Sequence, residues 1–262
     1  MKDERRTGAA PTVPPALQAR VLHEALPYVQ SVQGKIFVVR CEGHWLSDPV
    51  HCAGFARDAA LLHLVGLRLV LVYGAQRSPA ELYRTRSDLV GLINQQGCRA
   101  VGLTTRDGGR AGLADGLIQR LHARGFIPVV VPLAEAADDA DALAGDLAQR
   151  LCAEKLLMLG DWPGVLDRDG HLVATLSARD MAAWPGALPA ATRKALDVAL
   201  AAVAHGVKSA HIIDGRRDHA LLLEVLSNAG DGTIVLPEQA PHFLDDSLRY
   251  LHQGEPGADV RS

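Results

Sequence analysis

Short apolar runs alternate along the chain with longer segments in which apolar side chains recur at helical spacing. Apolar runs of this kind, bounded by glycine or charged residues, predict buried strands, and the periodic segments predict helices that cover them. Strands are predicted at residues 35–40, 68–74, 99–103, 126–133, 155–161 and 209–214, with a last strand in the GTIVL sequence.

Helical segments separate these strands almost everywhere. They include AGFARDAALLHLVGL, SDLVGLINQQG, DGLIQRLHARG, ALAGDLAQRLCA, an alanine-rich stretch at about 190–205, and HALLLEVLSN. Repeated strand–helix units imply a mostly parallel central sheet covered on both faces, with ligands at the carboxyl ends of the strands. The fold class is therefore α/β, a three-layer αβα sandwich.

The two ends of the chain differ from this pattern. Residues 1–15 combine mixed charge with three prolines and have no periodic apolar face, which predicts a disordered arm. Residues 254–262 are similar in composition and are predicted to form a disordered tail. A single domain is expected over residues 16–253.

Composition narrows the classes of partner. The chain has 27 basic and 30 acidic residues, a balance that favours neither nucleic acid nor an anionic membrane as a partner. Its four cysteines form no CxxC pair, and no apolar span reaches membrane length. We expect a reduced, cytoplasmic protein that binds a small molecule.

Four loops at the predicted carboxyl ends of strands carry glycine or acid: RCEGH, YGAQ, TTRDGG and LGDWPG. Glycine there allows backbone amides to approach a phosphate, and a following helix start adds a favourable dipole. Glycine also follows strands simply to reverse the chain. Four such loops on one rim leave a phosphorylated ligand and ordinary turns as alternatives.

The sequences of these segments resemble those of the acetylglutamate kinases of the amino acid kinase family over nearly the whole predicted domain. The most specific stretches are LCAEKLLMLGDWPGVLDRDGHL and GVKSAHIIDGRRDHALLLEVLSNAGDGTIV. The resemblance implies a carbamate kinase-like fold, with an acid-binding half to about residue 133 and a nucleotide-binding half from about residue 134. It also implies phosphorylation of the γ-carboxylate of N-acetylglutamate in arginine biosynthesis, with ATP and Mg²⁺ as cofactors, and a homodimer or a complex with another amino acid kinase.

The first two phosphate loops depart from the family pattern. The family's catalytic lysine at the end of the first strand is here Arg40, and the paired glycines that follow it read Glu42 and Gly43. Arginine is planar and bulkier than a point-charge ammonium, and Glu42 adds repulsion beside phosphates. In the second loop the family's histidine and three glycines retain only Gly74, followed by Ala75.

The resemblance also assigns an organising acid and a second lysine. The acid corresponds to Asp141, which lies in a run of aspartates. The alternative role for Asp141 is to cap or solvate the start of a helix. The family's second catalytic lysine is Ala190 here, and Lys194, one turn later, is the candidate substitute. Its alternative is an ordinary surface lysine.

The residues that the resemblance assigns to nucleotide binding are better retained than those of the first two phosphate loops. The resemblance implies nucleotide contacts from Asp107 and Gly108 in the third loop, and from Asp161 and Gly164 in the fourth. Such turns also brace a sheet. No metal site made of protein side chains is predicted.

Two contractions separate the chain from the family. The segment between AQRSPAELYRT and SDLVGLINQQG has no room for the family's hairpin lid and substrate-clamping arginine. Arg77, Arg84 or Arg86 could contact an acid instead, although exposed loop arginines are the favoured interpretation. The second contraction follows TTRDGGR, where the family has further strands before the helix that leads to FIPVVVPL. Two functions therefore compete. One is an acetylglutamate kinase-like enzyme, and the other is a degenerate paralogue that binds a ligand or partner, which the replaced residues favour. A third, the kinase-like half of an acetylglutamate synthase, is weakened because the sequence after residue 236 is too short for an acetyltransferase domain.

Overall fold

The structure is a computed structural model that describes residues 14–42, 44–74, 79–107, 109–132, 140–184, 186–227 and 232–238. Most of the predicted arm, the predicted tail and the boundary near residue 133 lie outside these ranges. The strands in the described ranges are β1 (Ile36–Cys41), β2 (Arg68–Tyr73), β3 (Arg99–Thr104), β4 (Phe126–Val131), β5 (Lys155–Gly160), β6 (Thr175–Leu176), β7 (Ser209–Asp214) and β8 (Thr233–Val235).

Helices fill the connections between these strands. They are α1 (Pro15–Val32), α2 (Pro49–Leu64), α3 (Pro79–Gln95), α4 (Gly109–Gly112), α5 (Ile118–Ala123), α6 (Ala140–Arg150), α7 (Ala178–Ala182), α8 (Ala190–Ala204) and α9 (Ala220–Leu226). A short π-helical turn at Leu113–Leu117 joins α4 to α5. Proline stands at the first turn of α1 and α2, where its missing N–H costs no helical hydrogen bond.

The strands form one sheet in the order β3-β4-β2-β1-β5-β7-β8-β6. The strands pair in parallel except for β7 and β8, which are antiparallel. Helices cover both faces, so the predicted α/β class and three-layer αβα architecture are confirmed.

Alternation along β1 divides the core into two layers. Phe37, Val39 and Cys41 point towards one face and pack with α2, α3 and α9. Val38 points to the other face, with α6 and α8. Since side chains alternate along a strand, Arg40 faces the α6–α8 layer.

Strand β1 is the point at which the chain changes direction across the sheet. Its neighbour β2 is reached through α2 on one face, whereas β5, on its other side, is reached through α6 on the opposite face. Such a switch opens a crevice at the carboxyl ends of the two central strands. The fold therefore places the end of β1 where a ligand site is expected.

Helix α1 is the least packed long element. Val32 is its one buried residue within the described range, and Leu22 is 72% exposed. In the part of the chain that the structure describes, no helix combines the length and apolar character needed to cross a bilayer.

Candidate active site at the carboxyl end of strand β1

The guanidinium of Arg40 is enclosed on several sides. Its Nη2 pairs with a carboxylate oxygen of Glu42, and its Nε lies 2.5 Å from Oδ1 of Asp141. Nη1 donates a hydrogen bond to the carbonyl of Leu159 at 3.3 Å, and the guanidinium carbon lies 5.4 Å from the centroid of the Trp162 ring. The side chain is 4% exposed. Arginine suits such a setting because its charge is delocalised and weakly hydrated.

Asp141 links Arg40 to a second cation. Its Oδ2 lies 3.1 Å from Nζ of Lys194, whose side chain is 52% exposed while that of Asp141 is 4% exposed. Asp141 belongs to the first turn of α6, where the helix dipole favours a negative charge. The structure therefore brings Arg40, Asp141 and Lys194 together, and Lys194 pairs with a buried acid although half of its own side chain is in solvent.

Gly74, at the end of β2, allows this arrangement. A Cβ atom at Gly74 would overlap the Cβ of Ala140, the residue before Asp141. The absence of a side chain at Gly74 lets the start of α6 approach the sheet closely enough for Asp141 to reach Arg40. This packing gives Gly74 a structural requirement for glycine, separate from the phosphate-binding role that the sequence predicts for it.

The remaining predicted residues divide into two groups. Gly43, Ala75 and Gly108 lie outside the described residues. Asp107 closes the turn after β3, where its Oδ2 accepts hydrogen bonds from the backbone N–H and the hydroxyl of Thr104 at 2.6 and 2.9 Å.

The structure does not bring Asp107 and Asp161 together. Asp161 follows β5, next to β1, whereas Asp107 follows the edge strand β3. Four strand spacings separate them, which is roughly 19 Å. Sequence order does not reveal how many strands are inserted between two loops. That both residues contact one nucleotide stays a prediction. Of the two, Asp161 is the residue next to the Arg40 cluster.

Gly164 has a packing requirement of its own. Its φ is +120°, and a Cβ there would lie 2.6 Å from Leu172 Cδ1 and 3.0 Å from the hydroxyl oxygen of Thr233. The same hydroxyl accepts a hydrogen bond from the N–H of Val165 at 2.8 Å. Gly164 therefore joins the loop after β5 to strand β8, which is sufficient to explain a glycine at this position.

Trp162 and Leu159 are site residues that the sequence did not indicate. Leu159 contributes only its backbone carbonyl, which has no sequence signal. Trp162 does have one, since a tryptophan in an aromatic-poor chain directly follows the Asp161 loop. Its indole also fills the space beside Gly160, where a Cβ would lie 2.5 Å from a ring carbon.

A group of possible metal ligands lies in an exposed turn away from this site. Asp167, Asp169 and His171 place ligand atoms within 4.8 Å of one another. One carboxylate oxygen of Asp167 accepts hydrogen bonds from the backbone N–H groups of Asp169 and His171 at 2.9 and 2.8 Å. These bonds stabilise the turn itself and do not indicate a cation.

The charges of the four described residues that form this cluster cancel. Arg40 and Lys194 contribute two positive charges, and Glu42 and Asp141 contribute two negative charges. Phosphoryl transfer relies on positive charge and amide donors around the moving group. Because the guanidinium of Arg40 is enclosed and paired with two carboxylates, the phosphate end of an ATP site does not fit the residues present. The arrangement can orient the buried cation Arg40. Of the two cations in the cluster, Lys194 is the one that solvent can reach.

Comparison with known proteins agrees with this fold. A sequence profile described as "Amino acid kinase family" matches residues 35–214. The chain is 33% identical to an acetylglutamate kinase from Cupriavidus pinatubonensis, an alignment that covers 87% of this chain and 96% of the relative. It is 35% identical to one from Methylobacillus flagellatus, with 84% and 97% covered.

The alignment with the Cupriavidus relative extends over 296 positions, more than the 262 residues of this chain. This chain therefore lacks residues that the relative has, in agreement with the contractions seen in the sequence.

Solved structures with the same fold include the N-acetylglutamate synthase from Neisseria gonorrhoeae. Its complex with coenzyme A and N-acetyl-glutamate matches with a TM-score of 0.73 and 26% identity over 85% of this chain. A second complex of that synthase, with coenzyme A and L-arginine, matches with a TM-score of 0.68 at 23% identity, which supports the fold alone. The chain spans 64% and 65% of these two structures.

Proposed function

The chain belongs to the amino acid kinase family, and from that premise we propose that it is an acetylglutamate kinase-like protein of arginine biosynthesis that has lost phosphoryl transfer. In this proposal it acts as a ligand-binding subunit. Its ligands are of the classes that the relatives' names suggest, an N-acetylglutamate-type acid or a nucleotide.

One observation carries the proposal: the side chain of Arg40, at the position of the family's first catalytic lysine, is 4% exposed and pairs with Glu42 and Asp141. An accessible cation is needed to stabilise charge on a transferring phosphoryl group. Removing a single oxyanion-type donor costs on the order of 100- to 1000-fold in turnover. Here the cation is enclosed, and a carboxylate replaces the neighbouring glycine.

The comparisons support the family membership from which this proposal starts. Two of the solved structures that match are named as a synthase, so the fold occurs in a protein with a named activity other than a kinase. The relatives named acetylglutamate kinase support the arginine pathway.

A hydroxylamine-trapping assay tests the loss of transfer. The purified chain is incubated with ATP, Mg²⁺ and N-acetylglutamate, and an acyl phosphate product would appear as a hydroxamate. We expect no hydroxamate above a no-enzyme control at high protein concentration. Hydroxamate that scales with protein concentration would contradict the proposal.

Calorimetry tests the ligand-binding half of the proposal separately. Titration with ADP and with N-acetylglutamate should give saturable heat for at least one of them. If neither ligand binds at millimolar concentration, the ligand-binding proposal fails even when the kinase assay is negative.

A variant tests whether the Arg40–Glu42 pair blocks transfer. Arg40→Lys combined with Glu42→Gly restores the family's residue types at both positions and should increase hydroxamate formation above wild type. The control is Arg193→Lys with Asp197→Asn, which alters an exposed pair on α8 in a similar way. Equal activity in both variants would show that these two residues do not account for the loss.

A second function, an active acetylglutamate kinase, is favoured by one specific contact. Asp141 lies between Arg40 and Lys194, as an acid that orients two cations should. If the chain is an active kinase, Lys194→Ala should reduce turnover by about 100-fold or more, because Lys194 is the accessible cation. A rate unchanged by Lys194→Ala would exclude Lys194 from that role.

A further inference from the structure

A pocket of about 170 Å³ lies on the face of the sheet opposite Arg40, between α2 and the loop that connects β7 to α9. Trp45 and Phe55 form its aromatic wall, with ring centroids 5.5 Å apart in an edge-to-face arrangement. Its volume corresponds to about six water molecules at roughly 30 Å³ each, enough for a small metabolite.

The acidic groups of this pocket each face an imidazole. Asp58, whose side chain is 3% exposed, bonds to Nδ1 of His219 at 2.8 Å. Asp218 lies 3.8 Å from Nε2 of His51. Burial raises the pKa of the Asp58 carboxyl, against the opposing effect of His219. Both carboxylates of the pocket therefore already have polar neighbours of their own.

The rim of the pocket also carries guanidinium groups. Arg57 and Arg217 both line it. Arg57 is exposed, and its positive charge also acts on the neighbouring Asp58 carboxyl, opposing the rise in pKa that burial causes there. A guanidinium recognises a carboxylate through paired hydrogen bonds, and an aromatic wall binds an apolar body.

We propose that this pocket is a binding site for a small carboxylic acid with an apolar body. The carboxylate binds at Arg57, and the apolar part packs on Trp45 and Phe55. This site is separate from the Arg40 cluster and does not depend on whether the chain transfers a phosphoryl group.

The pocket is connected to the Arg40 cluster through the backbone. The indole N–H of Trp45 donates to the carbonyl of Glu42 at 3.0 Å, and the N–H of Glu42 donates to the carbonyl of Leu159 at 3.2 Å. Leu159 also lines the pocket, and its carbonyl accepts the hydrogen bond from Arg40. A ligand that displaces Trp45 therefore acts on the residue whose carboxylate pairs with Arg40.

The test uses butyrate as the probe and butylammonium as its charge-inverted counterpart of similar size. Ligand-observed NMR should show saturable binding of butyrate with a dissociation constant on the order of 1 mM, since a ligand of fewer than ten non-hydrogen atoms gains little affinity. Butylammonium should bind at least tenfold more weakly. Arg57→Gln should weaken butyrate binding about tenfold through the loss of a charged hydrogen bond.

Gly54 offers a way to fill the pocket without disturbing the fold. It lies in α2, lines the pocket, and has open space where a Cβ would be. Gly54→Leu should abolish butyrate binding while it improves helix propensity. The matched control is Gly91→Leu in α3, where a Cβ also meets open space but the residue does not line the pocket.

Fluorescence tests the connection to Trp45. The chain has three tryptophans, so replacing Trp162 and Trp184 with phenylalanine leaves Trp45 as the single indole. Butyrate should change its emission with the same midpoint as in the NMR titration.

Three results would overturn the proposal: no saturable butyrate binding, equal binding of butyrate and butylammonium, or butyrate binding that survives Gly54→Leu. Because the probe contains no phosphate and the Arg57 and Gly54 variants lie on the far face of the sheet from Arg40, these binding results are independent of the hydroxamate assay.

Discussion

At the scale of single residues, the central feature is that a buried arginine depends on a buried aspartate. Arg40 and Asp141 are both about 4% exposed and are in direct contact. Removing one partner of a buried pair leaves an uncompensated charge, which costs far more than the pair itself contributes. Arg40 also has Glu42 as a partner, but the Glu42 side chain is 30% exposed and is therefore more strongly screened by water.

Asp141→Asn should lower the free energy of unfolding by about 3 kcal/mol, because Arg40 and Lys194 both lose their shared anion. Urea denaturation followed by circular dichroism measures the change. Asp197→Asn, which breaks an exposed pair with Arg193, should cost less than about 1 kcal/mol. A loss of similar size in both variants would show that burial does not strengthen the dependence of Arg40 on Asp141.

At the scale of elements, the site depends on how closely α6 and α8 approach each other. Asp141 lies on α6 and Lys194 on α8, and Gly145 lies in the contact between these helices. A Cβ at Gly145 would lie 2.8 Å from Cγ1 of Val198. Glycine in the middle of a helix is intrinsically unfavourable, so its presence here reflects close packing.

Gly145→Ala should destabilise the protein by about 1 kcal/mol. The gain in helix propensity is about 1 kcal/mol, and the overlap with Val198 costs about 1 to 3 kcal/mol. Gly91→Ala in α3 meets open space and should instead stabilise by up to about 1 kcal/mol. Thermal unfolding compares the two variants, and stabilisation by Gly145→Ala would mean that the helices separate freely.

The elements themselves were largely predictable, since the strand at 209–214 and the helix at about 190–205 match β7 and α8 closely. Their periodicity reflects burial, which is a local property of the sequence. The order of strands in the sheet is not local, so the sequence alone does not show that four strand spacings separate Asp107 from Asp161. The enclosure of Arg40 depends on Trp162 and on a backbone carbonyl. The spacing of residues along the sequence reveals neither of these contacts.

At the scale of the whole molecule, the half-buried His122 links stability to pH. Burial lowers the pKa of His122 below its ordinary value, against the partial opposing effect of a hydrogen bond to the carbonyl of Leu69 at 3.0 Å. The unfolded chain therefore binds a proton at this residue at a higher pH than the folded chain does. Stability contributed by neutral His122 is complete above pH of about 6.5 and is lost as the pH falls towards the folded-state pKa.

The free energy of unfolding should accordingly decrease as the pH falls from about 6.5 to 5, and His122→Gln should make that decrease shallower. Urea midpoints measured across this range provide the test. His23→Gln, at an exposed position on α1, is the control. An unchanged slope in His122→Gln would assign the pH dependence to other groups.

The exposure of α1 has a consequence for local unfolding. A helix of 18 residues with one buried side chain receives little stabilisation from tertiary packing, and short helices in water are only marginally stable on their own. Its amide hydrogens should therefore exchange with deuterium through local opening. For the α1 residues that precede Leu26, the exchange rates should be close to those of an unstructured peptide. The amides of β1, which pair with β2 and β5 on both sides, should exchange only through global unfolding.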